Sequence, residues 1–301
     1  MAEAKRPFVS DKLAKHRKTQ ARVRRVFIAV LVVIVIGLTG FLTYGNRFQI
    51  VDATVTGTKA VSGDAVRSTV LTSITGKRAL IIPRRNMFFY SQKHLKAILF
   101  DAYPRLSDIS IVVKNHVLLV TVVEREPAYL WCGNSIPVNR EASFASTCYF
   151  VDATGFIFSL APQFSDAVYL KIFTSLSEGV DPVKQYAMDA NILSRVATFS
   201  KNIASPQFKP SAFSITSDGD ALIFLFRDSD ILPAIRYNPL HDPLTIVSAF
   251  KVAVSTEPLK TKIANDLANL EYIDLRFPNK VFYKFRDELS KQQDNAKYKY
   301  N

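Results

Sequence analysis

The chain of 301 residues is 48% hydrophobic and carries 39 Lys or Arg against 26 Asp or Glu, a formal net charge of +13. That apolar content excludes a disordered polyelectrolyte, and two cysteines are too few for a small scaffold built on disulfides. The charge is uneven: residues 1–25 hold nine Lys or Arg (Lys5, Arg6, Lys12, Lys15, Arg17, Lys18, Arg22, Arg24, Arg25) against Glu3 and Asp11, so this tail supplies +7 and leaves +6 for the rest. No DNA-reading module accompanies the basic arm. It is therefore assigned to membrane orientation and contact with anionic lipid, and no nucleic acid is expected as a partner.

Residues 26–44, VFIAVLVVIVIGLTGFLTY, form one uninterrupted apolar run without a charge. An α-helix needs about 20 such residues to cross hydrocarbon. A basic flank keeps its side cytoplasmic, so everything after Asn46 is expected outside, with the span in the plasma (inner) membrane. A cleaved signal peptide has an apolar core of about 7–15 residues and a small-residue cleavage site. Here the run is longer, and TYGNRF offers no A-x-A. A buried helix of a soluble protein would show a polar stripe, which this run lacks. The expected layout is a cytoplasmic tail at 1–25, a transmembrane helix at 26–44, outside domains at 48–124 and 126–285, and a frayed polar end at 286–301.

The first outside segment reads as strand, helix, helix, hairpin. FQIVDATVTG (48–57) is rich in β-branched and aromatic residues and ends on Gly57. Ser62 can cap a helix with Ala65, Val66, Val70, Leu71 and Ile74 as its apolar positions. A loop with Gly76, Pro83, Arg84 and Arg85 follows. Ser91 opens a second helix bearing Leu95, Ile98, Leu99 and Ala102, and Pro104 ends it. Ile109, Ile111 and Val113 then alternate, Lys114-Asn115 is the expected turn, and VLLVTVVE returns. The order is β-α-α-β-β, which predicts a small sheet covered on one face by two helices.

The next segment, 126–285, reads as a mixed α+β domain. Tyr129 and Trp131 start a strand after Pro127. Phe150-Val151 and Phe156-Ile157-Phe158 flank a turn at Asp152 to Gly155. Residues 183–200 read as a helix with Tyr186, Ile192, Leu193, Val196 and Phe199 buried. Ala212–Thr216 and Ala221–Phe226 bracket the Asp218-Gly219 turn. Helices at 243–254 and 260–270 lead to a last strand. Cys132 and Cys148 both fall outside the membrane, where oxidation permits a bridge; closing that loop would contribute roughly 3 kcal/mol. Two separate thiols are the alternative.

Four phrases, F-x-I-x-x-A-x-V-x-G (Phe48 to Gly57), V-x-V-V-E-R-E-P-A (Val120 to Ala128), Y-F-V-D-A-T-G-F-I-F (Tyr149 to Phe158) and Y-I-D-L-R-F-P-N-K-V (Tyr272 to Val281), lie in the order found in one family. The chain resembles the FtsQ/DivIB bacterial cell-division proteins, in which a POTRA domain follows a single N-terminal span. The resemblance covers the span and both ends of the outside body. Residues 160–260 depart from it: the family's Leu-Pro-x-Leu phrase has no equivalent near Leu170 to Phe173, and the loops at Pro206–Pro210 and Ile231–Pro243 look long. The resemblance implies a non-enzymatic scaffold at the division septum. It also implies membrane-anchored partners similar to FtsB and FtsL, gripped by the last strands, and contact of the POTRA side with septal peptidoglycan synthesis proteins.

Catalytic constellations are thin, and no enzyme activity, cofactor or metal is expected. The histidines His16, His94, His116 and His241 show no ligand spacing. Gly76-Lys77 lacks the upstream Gly and the following Ser or Thr of a phosphate loop. No S-x-x-K or G-x-S-x-G supplies an activated serine. Glu124 and Glu126 are better read as an exposed charged strand end than as an acid/base pair.

An unpaired terminal strand could take up a partner segment by extending the sheet. The expected partner edge is Tyr272, Asp274, Arg276, Phe277, Val281, Phe282 and Tyr283, with Phe285 adding apolar grip and Lys280, Lys284 and Arg286 guarding against aggregation. A second-choice surface is Arg84, Arg85, Glu124 and Arg125. The rival role, a POTRA component of protein export or envelope assembly, usually brings a membrane β-barrel, and no run of alternating ten-residue strands is present.

Overall fold

The computed structural model describes residues 11–78, 82–136, 147–164, 168–177, 179–225, 233–277 and 280–286. The expected tail at 286–301 therefore lies outside the described residues except for Arg286, as do residues 1–10 and Phe226. The chain is mixed α+β and divides into two compact units, Met1–Glu124 and Arg125–Asn301.

The first unit opens with helix α1 (Asp11–Tyr44), which begins inside the basic stretch rather than after it. An 18-residue window of its segment Thr19–Leu42 has a mean hydropathy of 2.6 and none of its residues buried in the protein, and the whole segment has 24 residues. At about 1.5 Å per residue that length exceeds the roughly 30 Å of bilayer hydrocarbon. Strand β1 is Asp52–Thr56, shorter than the strand expected from Phe48. The preceding residues pair with a loop instead: Phe48 lies in a 3-10 turn, Gln49 bridges to Asn86, and the Ile50 N–H donates to the Arg85 carbonyl at 2.7 Å.

Helix α2 (Gly63–Ser73) starts where Ser62 Oγ accepts the Ala65 N–H at 3.3 Å. Short strands β2 (Lys77–Arg78) and β3 (Ile82–Pro83) pair with each other. Helix α3 (Gln92–Ala102) is capped by Ser91, whose Oγ accepts the His94 N–H at 3.2 Å. β4 (Leu106–Lys114) and β5 (Val117–Glu124) form a hairpin whose turn falls on Asn115 and His116, with φ of 50° and 66°. That is one residue later than expected, because both central residues of so tight a turn must take positive φ and Asn tolerates it. The sheet order is β1-β5-β4, with β1 parallel to β5. Leu118, Val120 and Val122 of β5 alternate inward against Val66, Val70, Leu95 and Leu99 of the two helices. Gly57 is required here: its φ is +90°, and a Cβ would lie 2.1 Å from the Val122 carbonyl oxygen.

The second unit is built on one sheet. Its strands are β6 (Tyr129–Trp131), β7 (Tyr149–Val151), β8 (Ile157–Leu160), β9 (Leu170–Phe173), β10 (Pro210–Ile215), β11 (Ala221–Leu225), β12 (Ala234–Tyr237), β13 (Leu270–Asp274) and β14 (Phe282–Phe285). Across the sheet they run β14-β13-β12-β11-β10-β9-β6-β7-β8. Helices α4 (Ala190–Ile203), α5 (Pro243–Ser255) and α6 (Leu259–Asp266) supply Leu193, Val196, Phe199, Ile246, Phe250 and Ile263 to a core with Ile172, Phe213, Ile223, Ile235 and Ile273. Because strand residues alternate between faces, Leu130, Phe173 and Ala212 point the other way. They form a smaller cluster with Cys132, flanked by Cys148 and Phe150.

Cys132 and Cys148 are joined by a disulfide with Cα atoms 4.2 Å apart. Closing a loop with a sequence separation of 16 contributes roughly 3 kcal/mol in the chain-entropy picture. Reduction is therefore expected to lower the melting temperature of this unit by several degrees while leaving the first unit unchanged, which melting monitored separately on each unit would show.

Three expectations are corrected here. Helix α4 starts at Ala190, not 183, because Asp189 Oδ1 caps it by accepting the Asn191 and Ile192 N–H groups. Residues before it form turns around an isolated bridge between Tyr186 and Phe156, with Ile157 N–H donating to the Gln185 carbonyl and Ala187 N–H to that of Gly155. Tyr186, expected in the core, is 61% exposed, its ring meeting that of Phe156 at 5.2 Å between centroids. β12 falls in the Ile231–Pro243 stretch read as a long loop, and β9 in a stretch to which no element was assigned; both lie in the interior of the sheet.

Candidate partner-binding site

The end of the large sheet made by β11 to β14 carries an ionic cluster on the face away from the helices. Asp220 and Asp274 are 8% and 7% exposed. Asp220 Oδ2 accepts from Arg236 Nη2 at 2.7 Å and Nε at 3.0 Å, and from Arg276 Nη1 at 3.0 Å. Asp274 accepts from Arg276 Nη2 at 2.7 Å and Nε at 3.0 Å, and from the Arg276 backbone N–H at 3.1 Å. Burial pushes the Asp274 carboxyl up, but the Arg276 hydrogen bonds outweigh that and hold it below its usual range. The same bonds to Asp274 raise the Arg276 guanidinium. The cluster pins the segment after β13 to β11 and β12.

Around this cluster runs an open groove of about 670 Å³ lined by Leu222, Ala234, Arg236, Glu271, Tyr272, Asp274, Arg276, Phe277 and Phe282. Phe282 is 50% exposed, Phe277 47% and Tyr272 39%. Phe277 and Phe282 meet edge to face at 5.2 Å, and the Arg276 guanidinium lies 5.4 Å from the Phe277 ring. β14 pairs with β13 on one side, and among the described residues no strand pairs with its other side. Lys284 reaches Glu271 at 2.8 Å across the pair.

Of the seven residues expected at the partner edge, five line this one groove: Tyr272, Asp274, Arg276, Phe277 and Phe282. Val281 and Tyr283 do not join them. Tyr283 follows Phe282 and so points to the helix face, where it packs against the core with Val281 and Phe285, and Lys262 Nζ sits 5.4 Å from its ring. Sequence reasoning missed Leu222, Ala234, Arg236 and Glu271 of the groove, and Asp220 of the ionic cluster. The Asp218-Gly219-Asp220 turn located the hairpin that presents Asp220, but nothing marked β12, which places Arg236.

The second-choice surface is corrected in part. Arg84 and Arg85 are exposed. Glu124, expected on an exposed strand end, is 8% exposed. Its carboxylate accepts the backbone N–H groups of Lys59 at 2.6 Å, Ala60 at 3.0 Å and Val61 at 3.0 Å, and Arg105 Nε at 3.2 Å. Burial raises its pKa, and these bonds more than offset that, leaving it below 4.5. Arg125 donates to Asp152 Oδ2 at 2.5 Å and stacks over Phe156 at 4.2 Å. Both residues act as internal struts of their own units.

Among the described residues no group of three or more His, Cys, Asp or Glu is placed to hold a metal ion. The arrangement suits recognition: an open strand edge for backbone pairing, aromatic rings for apolar anchors, and fixed arginines for orientation. Compared with known protein families and with curated proteins, the chain matches none.

Proposed function

We propose that this chain is a non-enzymatic, membrane-anchored scaffold of the bacterial division machinery, similar to the FtsQ/DivIB proteins, and that its first outside unit is a POTRA domain. The β-α-α-β-β order behind one apolar helix, with β1 parallel to β5 in a three-stranded sheet, supports the POTRA reading. The observation that carries the scaffold role is the open edge of β14 beside a groove walled by Tyr272, Phe277 and Phe282 and braced by Arg276. An extended segment of a membrane-anchored division protein, similar to FtsB or FtsL, would add a strand to β14 and set an apolar side chain into the groove. The tether at α1 confines the chain to the membrane in which such partners are anchored, which raises their effective concentration. Contacts with septal peptidoglycan synthesis proteins would fall to the POTRA side.

Depletion in the source bacterium is the test. Division arrest, seen as long undivided cells with several segregated nucleoids, is the expected result. Normal cell length with loss of exported or envelope proteins would instead assign the chain to export or envelope assembly.

A further inference from the structure

We infer that the loop 84–90 of the first unit lies on the bilayer, with Phe88 and Phe89 in the headgroup layer and Arg47, Arg84 and Arg85 against anionic lipid phosphates. The inference rests on reading α1 as a membrane span. The last carbonyls of a helix have no partner within it, and at the edge of hydrocarbon an unpaired carbonyl is costly. In α1 the Phe41 carbonyl accepts the Gly45 N–H at 2.9 Å, and the Leu42 carbonyl accepts Asn86 Nδ2 at 2.7 Å. Asn86 is fully buried. Its Oδ1 accepts the Phe88 N–H at 2.9 Å, and its carbonyl accepts the Phe89 and Tyr90 N–H groups at 3.0 and 2.9 Å. Met87 N–H donates to Phe48 at 2.8 Å. The loop is thus bonded to the point where the span ends.

Depth follows from distance. Phe88 is two residues from Asn86, so it lies within about 7 Å of it along the chain. The headgroup layer outside the hydrocarbon is itself roughly 5–7 Å thick on each side. The apolar surface of the span also continues into the loop: the Phe41 and Phe48 rings meet at 6.0 Å, and Phe48 and Phe88 at 5.5 Å. Phe41 and Phe88 are each 61% exposed and Phe89 43%, so the lipid-facing side of the helix and the loop form one apolar strip. Arg47, Arg84 and Arg85 are exposed around it, and the stretch from Arg84 to Ser91 holds no acidic residue. Aromatic rings with flanking arginines match the interfacial layer of an anionic membrane.

The test adds one tryptophan reporter at a time to the full chain, reconstituted in phosphatidylethanolamine/phosphatidylglycerol vesicles with lipids brominated at shallow or deep positions. Each signal is read as the difference from the parent. The parent chain, whose one tryptophan is Trp131, supplies the baseline. Leu38→Trp reports on the span and Phe88→Trp, repeated as Phe89→Trp, on the loop. Deep bromines are expected to quench Leu38→Trp, and shallow bromines to quench Phe88→Trp severalfold more than deep ones. Leu38→Trp quenched with Phe88→Trp unquenched and water-like in emission would overturn the inference and leave the span standing. Phe88→Trp unquenched but blue-shifted would mean protein covers the loop, and would also overturn it. An unquenched Leu38→Trp would remove the span itself.

Discussion

Glu124→Ala is expected to destabilise the first unit by about 4 kcal/mol, within the range for breaking a buried charged pair. The substitution removes one acceptor and orphans several donors at once: the backbone N–H groups of Lys59, Ala60 and Val61, and Arg105 Nε. Those N–H groups sit where the chain turns from β1 into α2, so the loss also loosens the approach to Ser62. A unit of this size shifts by about 4–8 °C per kcal/mol, so its melting temperature should fall by roughly 20 °C. The pH dependence has a fixed sign. The folded pKa lies below the ordinary 4.5, so the unfolded chain binds the proton more readily and stability rises with pH across that interval. The contribution is complete above 4.5 and is lost as pH falls through the lowered folded value. Glu124→Gln should therefore melt lower than the parent at neutral pH and converge on it in acid. Parallel melting curves for parent and Glu124→Gln at every pH would contradict the assignment.

Phe282→Asp is expected to weaken partner capture about 30-fold or more with little effect on folding. The ring is half exposed on β14, and surface substitutions of that kind usually shift stability by less than about 0.5 kcal/mol. A central aromatic anchor at an interface is worth about 2 kcal/mol or more, which is roughly a 30-fold loss of affinity. Adding Tyr272→Asp, on the neighbouring strand of the same groove, should deepen the loss. Tyr283→Asp is the informative contrast. It alters the core side of the same strand, so it should lower the melting temperature of the second unit, and a capture defect there would follow from misfolding. Titration of a purified partner segment against the three variants, beside their melting curves, separates the two effects. Equal capture by Phe282→Asp and the parent would sink the groove as the binding surface.

The first unit was legible because its signals are local. Ser62 and Ser91 cap their helices, and β5 alternates cleanly from Leu118 to Val122. Gly57 closes its motif because a backbone oxygen of Val122 occupies the space a side chain would need. The second unit was legible at its turns and helices and opaque at β9 and β12. Each of those strands is four residues long, too short to establish a period of two. Each also places a basic residue inside a sheet: Lys171 in LKIF and Arg236 in AIRY. Arg236 is tolerated there because Asp220, two residues before its register partner Leu222, accepts from its guanidinium, a contact between residues 16 positions apart that no local pattern encodes. Glu124 was misread for the same reason, since its backbone partners lie more than 60 residues earlier. At the site, the aromatic content of Phe277 and Phe282 and the Asp274/Arg276 spacing were readable. The face Phe282 takes depended on where β14 starts.

The central claim is that the open edge at β14 receives a membrane-anchored partner. A photo-crosslinking amino acid placed at position 282 in dividing cells tests it most directly, with position 160 on the opposite edge strand, β8, as the control. One small membrane protein trapped at 282 and absent at 160 is the result this account predicts. No adduct at 282, or the same adducts at both positions, would contradict it.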